Sequence, residues 1–262
     1  MTGRTIKVDA IARVEGEGAL HLRIGPEGVE TVEFRIFEPP RFFEALLRGR
    51  AATEAPEIAA RICGICPVAY IMSASAAVER AWGLAPGSEI AALRRLIYCG
   101  EWIQSHVLHA AMLHAPDFLG LADGIEMARA HPDLVRRALR LKKLGNAVME
   151  VVGGRAVHPV NTRVGGFYRA PEPEAVAALI PELDWGIGAA RDIALEFARF
   201  DFPEDEGDYR FVSLTHPELY PIEQGRIATG DGGEIDVAEF RTRFREEQVA
   251  RSTALHGRRA DG

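Results

Sequence analysis

The spacing of apolar residues changes once along this chain, at Pro39-Pro40, and this change limits the folds that the chain can adopt. Before the two prolines, apolar and polar residues follow a strand pattern in three segments, with a turn signal, GPEG, between the second and the third. After them, apolar residues recur at helical spacing up to about residue 200. The sequence therefore predicts an α+β fold, mostly helical, in which a small N-terminal antiparallel sheet is followed by a bundle of long helices. The predicted strands are residues 5–11, 19–24 and 29–37.

The predicted helices differ in length, and the pattern weakens toward the end of the chain. From Pro203 onward, an acidic loop and turn signals favour short strands at 209–214 and 225–229 and a last helix at 237–249. The tail after residue 256 is polar, so we expect the chain to be interrupted there. We predict a single, incomplete domain over residues 1–262, with a β-rich start (1–40), a helical part (41–200) and a mixed end (201–262). The predicted helices are residues 42–47, 57–62, 68–82, 88–116 with Ser88 as N-cap, 133–152 and 171–200.

Composition and charge exclude several classes of protein. With 262 residues and 47% hydrophobic content, the chain can bury a core. Lys and Arg number 31 against 38 Asp and Glu, a formal net charge of −7, which disfavours nucleic acid as a partner. Charges interrupt every apolar run, and the first residues lack a secretory apolar segment. We therefore expect a cytoplasmic protein without a membrane partner.

The cysteines carry the most specific chemical signal. Cys63 and Cys66 are separated by two residues across a glycine turn, and a predicted helix follows them. Thiols at this spacing can bind one metal ion, form a redox dithiol, or stay a reduced structural pair. A structural zinc site needs two more ligands, but no second pair occurs, and Cys99 lies 33 residues beyond Cys66. The spacing alone leaves all three alternatives open.

The wider string around the cysteines narrows the choice. Residues 61–67, RICGICP, resemble the N-terminal cysteine motif of the large subunit of nickel-iron hydrogenases. The resemblance covers nearly the whole chain and is closest to the cytoplasmic type of the family. Further segments resemble the family in the same order: residues 13–18, 41–44 with 47–50, 105–109 with 115–118, 154–159 with 165–166, and 252–256.

The resemblance implies a role for five residues. Cys63 would be a terminal nickel thiolate, and Cys66 would bridge nickel to an iron that carries cyanide and carbon monoxide; soft thiolates suit such a centre. Glu15 would pass protons to and from the metal site. Glu44 would hold a magnesium or iron ion through its hard oxygen ligands, and Arg61 would favour the ionised form of the thiolates.

Two features depart from the family pattern. Tyr70 replaces a histidine four residues after the second cysteine, and a tyrosine hydroxyl cannot carry protons near neutral pH in the same way. The family's second cysteine pair, in an Asp-Pro-Cys-x-x-Cys-x-x-His string, does not occur in these 262 residues. The chain thus resembles the first three fifths of a large subunit and would supply half of the metal ligands. We expect the isolated chain to have no hydrogenase activity.

The resemblance predicts a subunit of an enzyme that cleaves or forms dihydrogen heterolytically. Electrons would pass to a small subunit with iron-sulfur clusters, because this chain lacks the cysteines for a cluster. Further expected partners are diaphorase-type electron-carrier subunits and a chain that carries the missing cysteine pair. The alternative is a non-catalytic assembly or scaffold protein, or a truncated gene product, that binds no nickel-iron centre.

Overall fold

The computed structural model of this chain describes residues 3–39 and 41–260. Pro40 and the last two residues of the polar tail, both part of the sequence-based predictions, lie outside the described residues. The contacts of the chain group it into two compact units: residues 1–41 with 204–262, and residues 42–203. That the chain forms a single domain stays a prediction.

The first unit begins with the predicted antiparallel sheet. Its strands are β1 (Arg4–Val8), β2 (Gly18–Gly25) and β3 (Gly28–Ile36), in the order β1-β2-β3. The central strand aligns Leu20 with Val8 on one side and Phe34 on the other. This row of apolar residues lies on one face, because side chains alternate along a strand. The alternation seen in the sequence thus sets the register of the sheet.

The second unit is helical and contains the long helices that the sequence predicts. The prediction of one continuous helix over 88–116 is only partly right, because residues Leu108–His114 form a π-helical stretch. The predicted helix over 171–200 is two helices, since Pro181 lies in the first turn of the second one, where its missing amide is tolerated. The N-cap of the long helix is Gly87 rather than Ser88. The helices are α1 (Phe43–Leu47), α2 (Ala55–Ala60), α3 (Pro67–Trp82), α4 (Ser88–Val107), α5 (Ala115–Phe118), α6 (Gly124–Ala130), α7 (Pro132–Gly153), α8 (Pro173–Ala177) and α9 (Ile180–Phe197), and a short ribbon joins β4 (Thr162–Arg163) to β5 (Gly166–Phe167).

The core of the second unit lies where α4, α7 and α9 meet. The backbones of α4 and α7 approach so closely that a Cβ atom on Gly145 would lie 2.6 Å from the Gly100 carbonyl oxygen and from the Gln104 nitrogen. Glycine at this position therefore permits the contact. Apolar side chains fill the space around it, among them Val107, Leu134, Ala138, Leu141, Leu144 and Ile193.

The rest of the first unit is built from short elements. β6 (Val212–Thr215), β7 (Arg226–Thr229) and β8 (Glu234–Ile235) form an antiparallel sheet. The predicted helix over 237–249 is wrong beyond residue 243: a 3₁₀ turn and α10 (Phe240–Arg243) lead into β9 (Phe244–Glu247). The polar tail forms β10 (His256–Arg259), which pairs antiparallel with β9 and places Arg258 in an ion pair with Glu247. Strand pairing thus overrides local helix propensity here.

The observed architecture confirms the predicted α+β fold class, in which a small N-terminal antiparallel sheet is followed by long helices. Within residues 3–39 and 41–260, no helix is both long enough and apolar enough to span a bilayer.

Candidate metal centre

The cysteine pair lies in a tight loop between α2 and α3. Cys63 and Cys66 are half-buried, their Cα atoms are 5.6 Å apart, and the structure joins their sulfurs as a disulfide. The Cys66 amide donates a hydrogen bond to the Cys63 sulfur at 3.2 Å. Two-electron reduction of the bond would yield two thiols that face one point. The loop therefore brings together the two sulfurs that the sequence predicts as ligands.

The helix after the loop is capped from a distant part of the chain. Cys66 is the N-cap residue of α3, yet its side chain makes no capping hydrogen bond to any described residue. Instead, the Val68 amide donates to Glu101 Oε2 on α4 at 2.7 Å, and the Ala69 amide also bonds to this carboxylate. Glu101 is only 2% exposed. Burial raises the pKa of Glu101 to about 7, against the opposing effect of the two amides.

A second side chain of α4, Gln104, also contacts the loop. Gln104 Nε2 donates to the Ile65 carbonyl oxygen at 3.3 Å, so it contacts a residue between the two cysteines. Lys142 on α7 donates to Gln104 Oε1 at 3.4 Å. Backbone groups on both sides of Cys66 are thus held by α4.

Arg61 and His158 lie close to each other where α2 leads into the loop. Arg61 directly follows α2 and pairs with Glu57 at 3.3 Å. Burial lowers the pKa of His158, the charges of Arg61 and Arg155 lower it further, and the Ala60 carbonyl opposes this shift. His158 has a φ of 51°, and its buried Nδ1 receives no hydrogen bond from any described residue. The Arg61 charge thus acts on His158, and its effect on the two sulfurs remains a prediction.

A buried ion pair fixes α3 against α4. Arg94 donates to both carboxylate oxygens of Glu79, at 2.5 and 3.0 Å, and the Gly165 amide donates to the same group at 2.6 Å. Burial raises the pKa of Glu79, but the Arg94 and Gly165 hydrogen bonds and the Arg94 charge outweigh it, so the net shift is downward. The helix that begins at the cysteine loop is therefore anchored at its far end as well.

The other two site residues that the sequence predicts, Glu15 and Glu44, are exposed. Glu15 lies in the irregular segment between β1 and β2, in the first unit, and Glu44 lies on α1, in the second. Tyr70 is half-buried in the first turn of α3. Across residues 3–39 and 41–260, no three His, Cys, Asp or Glu side chains converge as a ligand set. The roles of Glu15, Glu44 and Arg61 remain predictions.

Comparison with known proteins identifies the family. A family described as nickel-dependent hydrogenase matches residues 41–135, which include the cysteine loop and Glu101. The alpha subunit of sulfhydrogenase 1 from Pyrococcus furiosus is 36% identical over 253 residues, or 96% of this chain. The chain belongs to the nickel-dependent hydrogenase family. It corresponds to the N-terminal part of the large subunit.

Other hydrogenases support this assignment. A subunit of the F420-non-reducing hydrogenase vhu from Methanocaldococcus jannaschii is 32% identical over 195 residues, which cover 71% of this chain and 46% of that protein. The structure of a NAD+-reducing nickel-iron hydrogenase in its H2-reduced state superposes with a TM-score of 0.83 at 25% identity, over 98% of this chain. This chain spans 59% of the sulfhydrogenase protein and 62% of the chain in that structure.

The donor set of this chain fits part of a nickel-iron centre. Cys63 and Cys66 present two sulfurs at one point, and thiolates are the soft donors that such a centre requires. Two donors do not complete the coordination of a metal in a protein. Further ligands must therefore come from groups other than this pair.

The sequence did not single out Glu101 or Gln104, although a signal was present. Ile97, Glu101 and Gln104 follow one another at helical spacing, so the two polar residues continue the buried stripe of α4. A polar residue at a core position needs a hydrogen-bond partner. The sequence could reveal that such a partner exists, but not that it is the backbone of the cysteine loop.

Proposed function

We propose that this chain supplies two of the four thiolate ligands of a nickel-iron centre, in a hydrogenase that cleaves or forms dihydrogen. The observation that carries the proposal is the convergence of Cys63 and Cys66 in the segment that matches the nickel-dependent hydrogenase family. When bound, the centre, with cyanide and carbon monoxide on its iron, supplies the redox chemistry of dihydrogen turnover.

The residues of this chain have distinct tasks in the proposed reaction. Cys63 and Cys66 would both hold the centre through their sulfurs, as thiolates. Glu15 holds and moves a proton at its carboxylate, and Arg61 favours the ionised sulfurs by its charge. Glu44 contributes a carboxylate ligand to a magnesium or iron ion.

The proposed enzyme needs other polypeptide segments. The second cysteine pair would come from a further segment or chain, and electrons would pass to a small subunit that carries iron-sulfur clusters. The relatives are named as subunits, and one similar solved structure is that of a NAD+-reducing enzyme, which supports a diaphorase-type partner. We place the assembly in the cytoplasm.

Nickel titration of the reduced chain tests the ligand assignment. The purified chain, reduced and kept anaerobic, is titrated with Ni²⁺ while thiolate-to-nickel charge-transfer absorption is recorded. We expect absorption that saturates with one nickel ion per chain and is lost in both C63S and C66S. C99S is the matched control, since Cys99 is a half-buried thiol of α4 outside the loop, and it should bind nickel like the wild type.

The opposite result supports the scaffold alternative. If the reduced wild type shows no charge-transfer absorption, or if C99S weakens it as much as C63S does, the chain does not hold nickel through the pair. The observation that favours this alternative is that the chain spans only 59% of the length of the sulfhydrogenase protein.

A further inference from the structure

We propose that Glu101 and Gln104 of α4 are positioning residues that hold the Cys63–Cys66 loop in the shape in which both sulfurs face one metal ion. The inference rests on the proposed function and adds two residues to it. The hydrogen bonds of both side chains to the loop go to its backbone.

The hydrogen bonds at the start of α3 carry the first step of the argument. The first amides of a helix have no partner within the helix, and the N-cap side chain usually accepts from one of them. Here Pro67 has no amide hydrogen, and Glu101 accepts from the amides of Val68 and Ala69. Because Glu101 caps the helix, the sulfur of Cys66 at the N-cap is not used for capping. It is available to face Cys63.

The second step concerns the residue between the two cysteines. Gln104 donates to the Ile65 carbonyl oxygen, and Lys142 donates to the other end of the same side-chain amide. The lysine contact fixes which end of the amide faces the loop, because an ammonium group can only donate. The Ile65 carbonyl and the Val68 amide lie on opposite sides of Cys66 in sequence, so α4 holds the loop at two points.

The third step is burial. Glu101 is 2% exposed and Gln104 is 8% exposed. Removing the partner of a buried polar group is more costly than removing an exposed hydrogen bond, so these contacts restrict the loop strongly. They also lie one turn apart on α4, beside the close contact of α4 with α7 at Gly145. The two residues therefore stand where α4 packs closely against α7.

The test compares two substitutions of Glu101 in the reduced full chain. Glu101→Leu removes the acceptor at similar size, whereas Glu101→Gln keeps a side-chain oxygen that can accept from the amides. Hydrogen exchange of the Val68 and Ala69 amides and Ni²⁺ titration by charge-transfer absorption are the readouts. We expect Glu101→Leu to speed exchange and weaken nickel binding by about tenfold each, as for the loss of a typical helix cap. Glu101→Gln should restore most of both.

Glu79→Gln is the matched control, because Glu79 is a buried carboxylate of α3 whose partners are Arg94 and Gly165 rather than the loop. It should lower the melting temperature without changing the nickel affinity or the exchange of the two amides. The proposal is overturned if Glu101→Leu changes nickel affinity no more than Glu79→Gln does, or if Glu101→Gln fails to restore it.

A second variant covers the case in which Glu101→Leu does not fold. Gln104→Met removes the donor to Ile65 at similar length, and it should weaken nickel binding while Glu79→Gln does not; unchanged binding overturns the proposal. The exchange readout needs no metal, so the two proposals can fail separately. Absent nickel binding by the wild type contradicts the proposed function, and unchanged exchange at Val68 and Ala69 contradicts the positioning role.

Discussion

Glu101 is a buried carboxyl group, and its burial disfavours the ionised form. Its pKa of about 7 lies above the ordinary value of 4.5, because burial disfavours the charged form more than the two amides favour it. Between these two values, the folded chain keeps a proton that the unfolded chain releases. The folded state therefore loses stability as the pH rises through this window.

Replacing Glu101 by glutamine should remove this pH dependence. Relative to Glu101→Gln, the free energy of unfolding of the wild type should fall by on the order of 3 kcal/mol between about pH 4.5 and pH 7, and then level off. Urea unfolding of both reduced proteins across this range measures the difference. A difference that stays constant with pH would contradict the pKa shift of Glu101.

At the scale of single residues, the sequence predicts local features better than distant contacts. Cys63 and Cys66 are three positions apart, so one string of residues is enough to predict that their sulfurs meet. Glu101 lies 33 positions from the amide that it accepts from, and no local pattern specifies that pairing. The sequence shows a polar residue in a buried stripe, and only the packing of α3 on α4 reveals its partner.

At the scale of elements, the contact of α4 with α7 depends on Gly145. A side chain at Gly145 would meet the backbone of α4, which cannot move aside as a side-chain end can. Gly188 on α9 is also a mid-helix glycine, but no described atom lies within 4 Å of where its Cβ would be. A substitution at Gly145 therefore changes both packing and helix propensity, whereas a substitution at Gly188 changes helix propensity alone.

Alanine at these two positions should have opposite effects. Gly188→Ala should stabilise the chain by about 0.5–1 kcal/mol through helix propensity. Gly145→Ala should destabilise it by about 1–3 kcal/mol, because overpacking exceeds that gain. Chemical unfolding of both variants measures the two changes. Equal stabilisation by both would show that the helices do not meet at Gly145.

The ion pair between Glu79 and Arg94 should be worth more than any surface pair. Glu79→Gln leaves the Arg94 charge buried without its counterion, and we expect a loss of about 3 kcal/mol at neutral pH. Because the pKa of Glu79 is lowered below 4.5, the stabilisation is full above that pH and is lost as the pH falls through the folded value. Thermal unfolding at neutral and acidic pH measures the loss.

An exposed pair serves as the comparison. Asp133 and Arg136 form an ion pair on the solvent side of α7, and Asp133→Asn should change stability by less than about 1 kcal/mol. A loss in Glu79→Gln as small as this, or one that does not shrink in acid, would contradict the buried pair.

The element boundaries show where pattern and packing disagree. The apolar spacing over 88–116 is continuous. A π-helix has more residues per turn than an α-helix but is built from the same residue types, so the spacing does not reveal the π-helical stretch at Leu108–His114. The predicted helix over 237–249 fails because residues Phe244–Glu247 find a strand partner at His256–Arg259. The three N-terminal strands were predictable, since their alternation and the turn between β2 and β3 are both local.

At the scale of the whole molecule, the chain corresponds to only part of the length of its relatives. It spans 59% of the sulfhydrogenase protein and 62% of the solved NAD+-reducing hydrogenase chain. Its described residues bring together two sulfurs but no set of three or more ligand side chains. We therefore expect Cys63 and Cys66 to support dihydrogen turnover only within an assembly that supplies the other ligands.

The most direct measurement is dihydrogen-dependent viologen reduction by the assembly isolated through an affinity tag on this chain, in its own organism. We expect nickel-dependent activity for the wild-type assembly, none for the C63S or C66S assemblies, unchanged activity for C99S, and none for the chain separated from its partners. Activity that survives in C63S, or dye reduction by the separated chain alone, would show that dihydrogen turnover does not depend on the cysteine pair within an assembly.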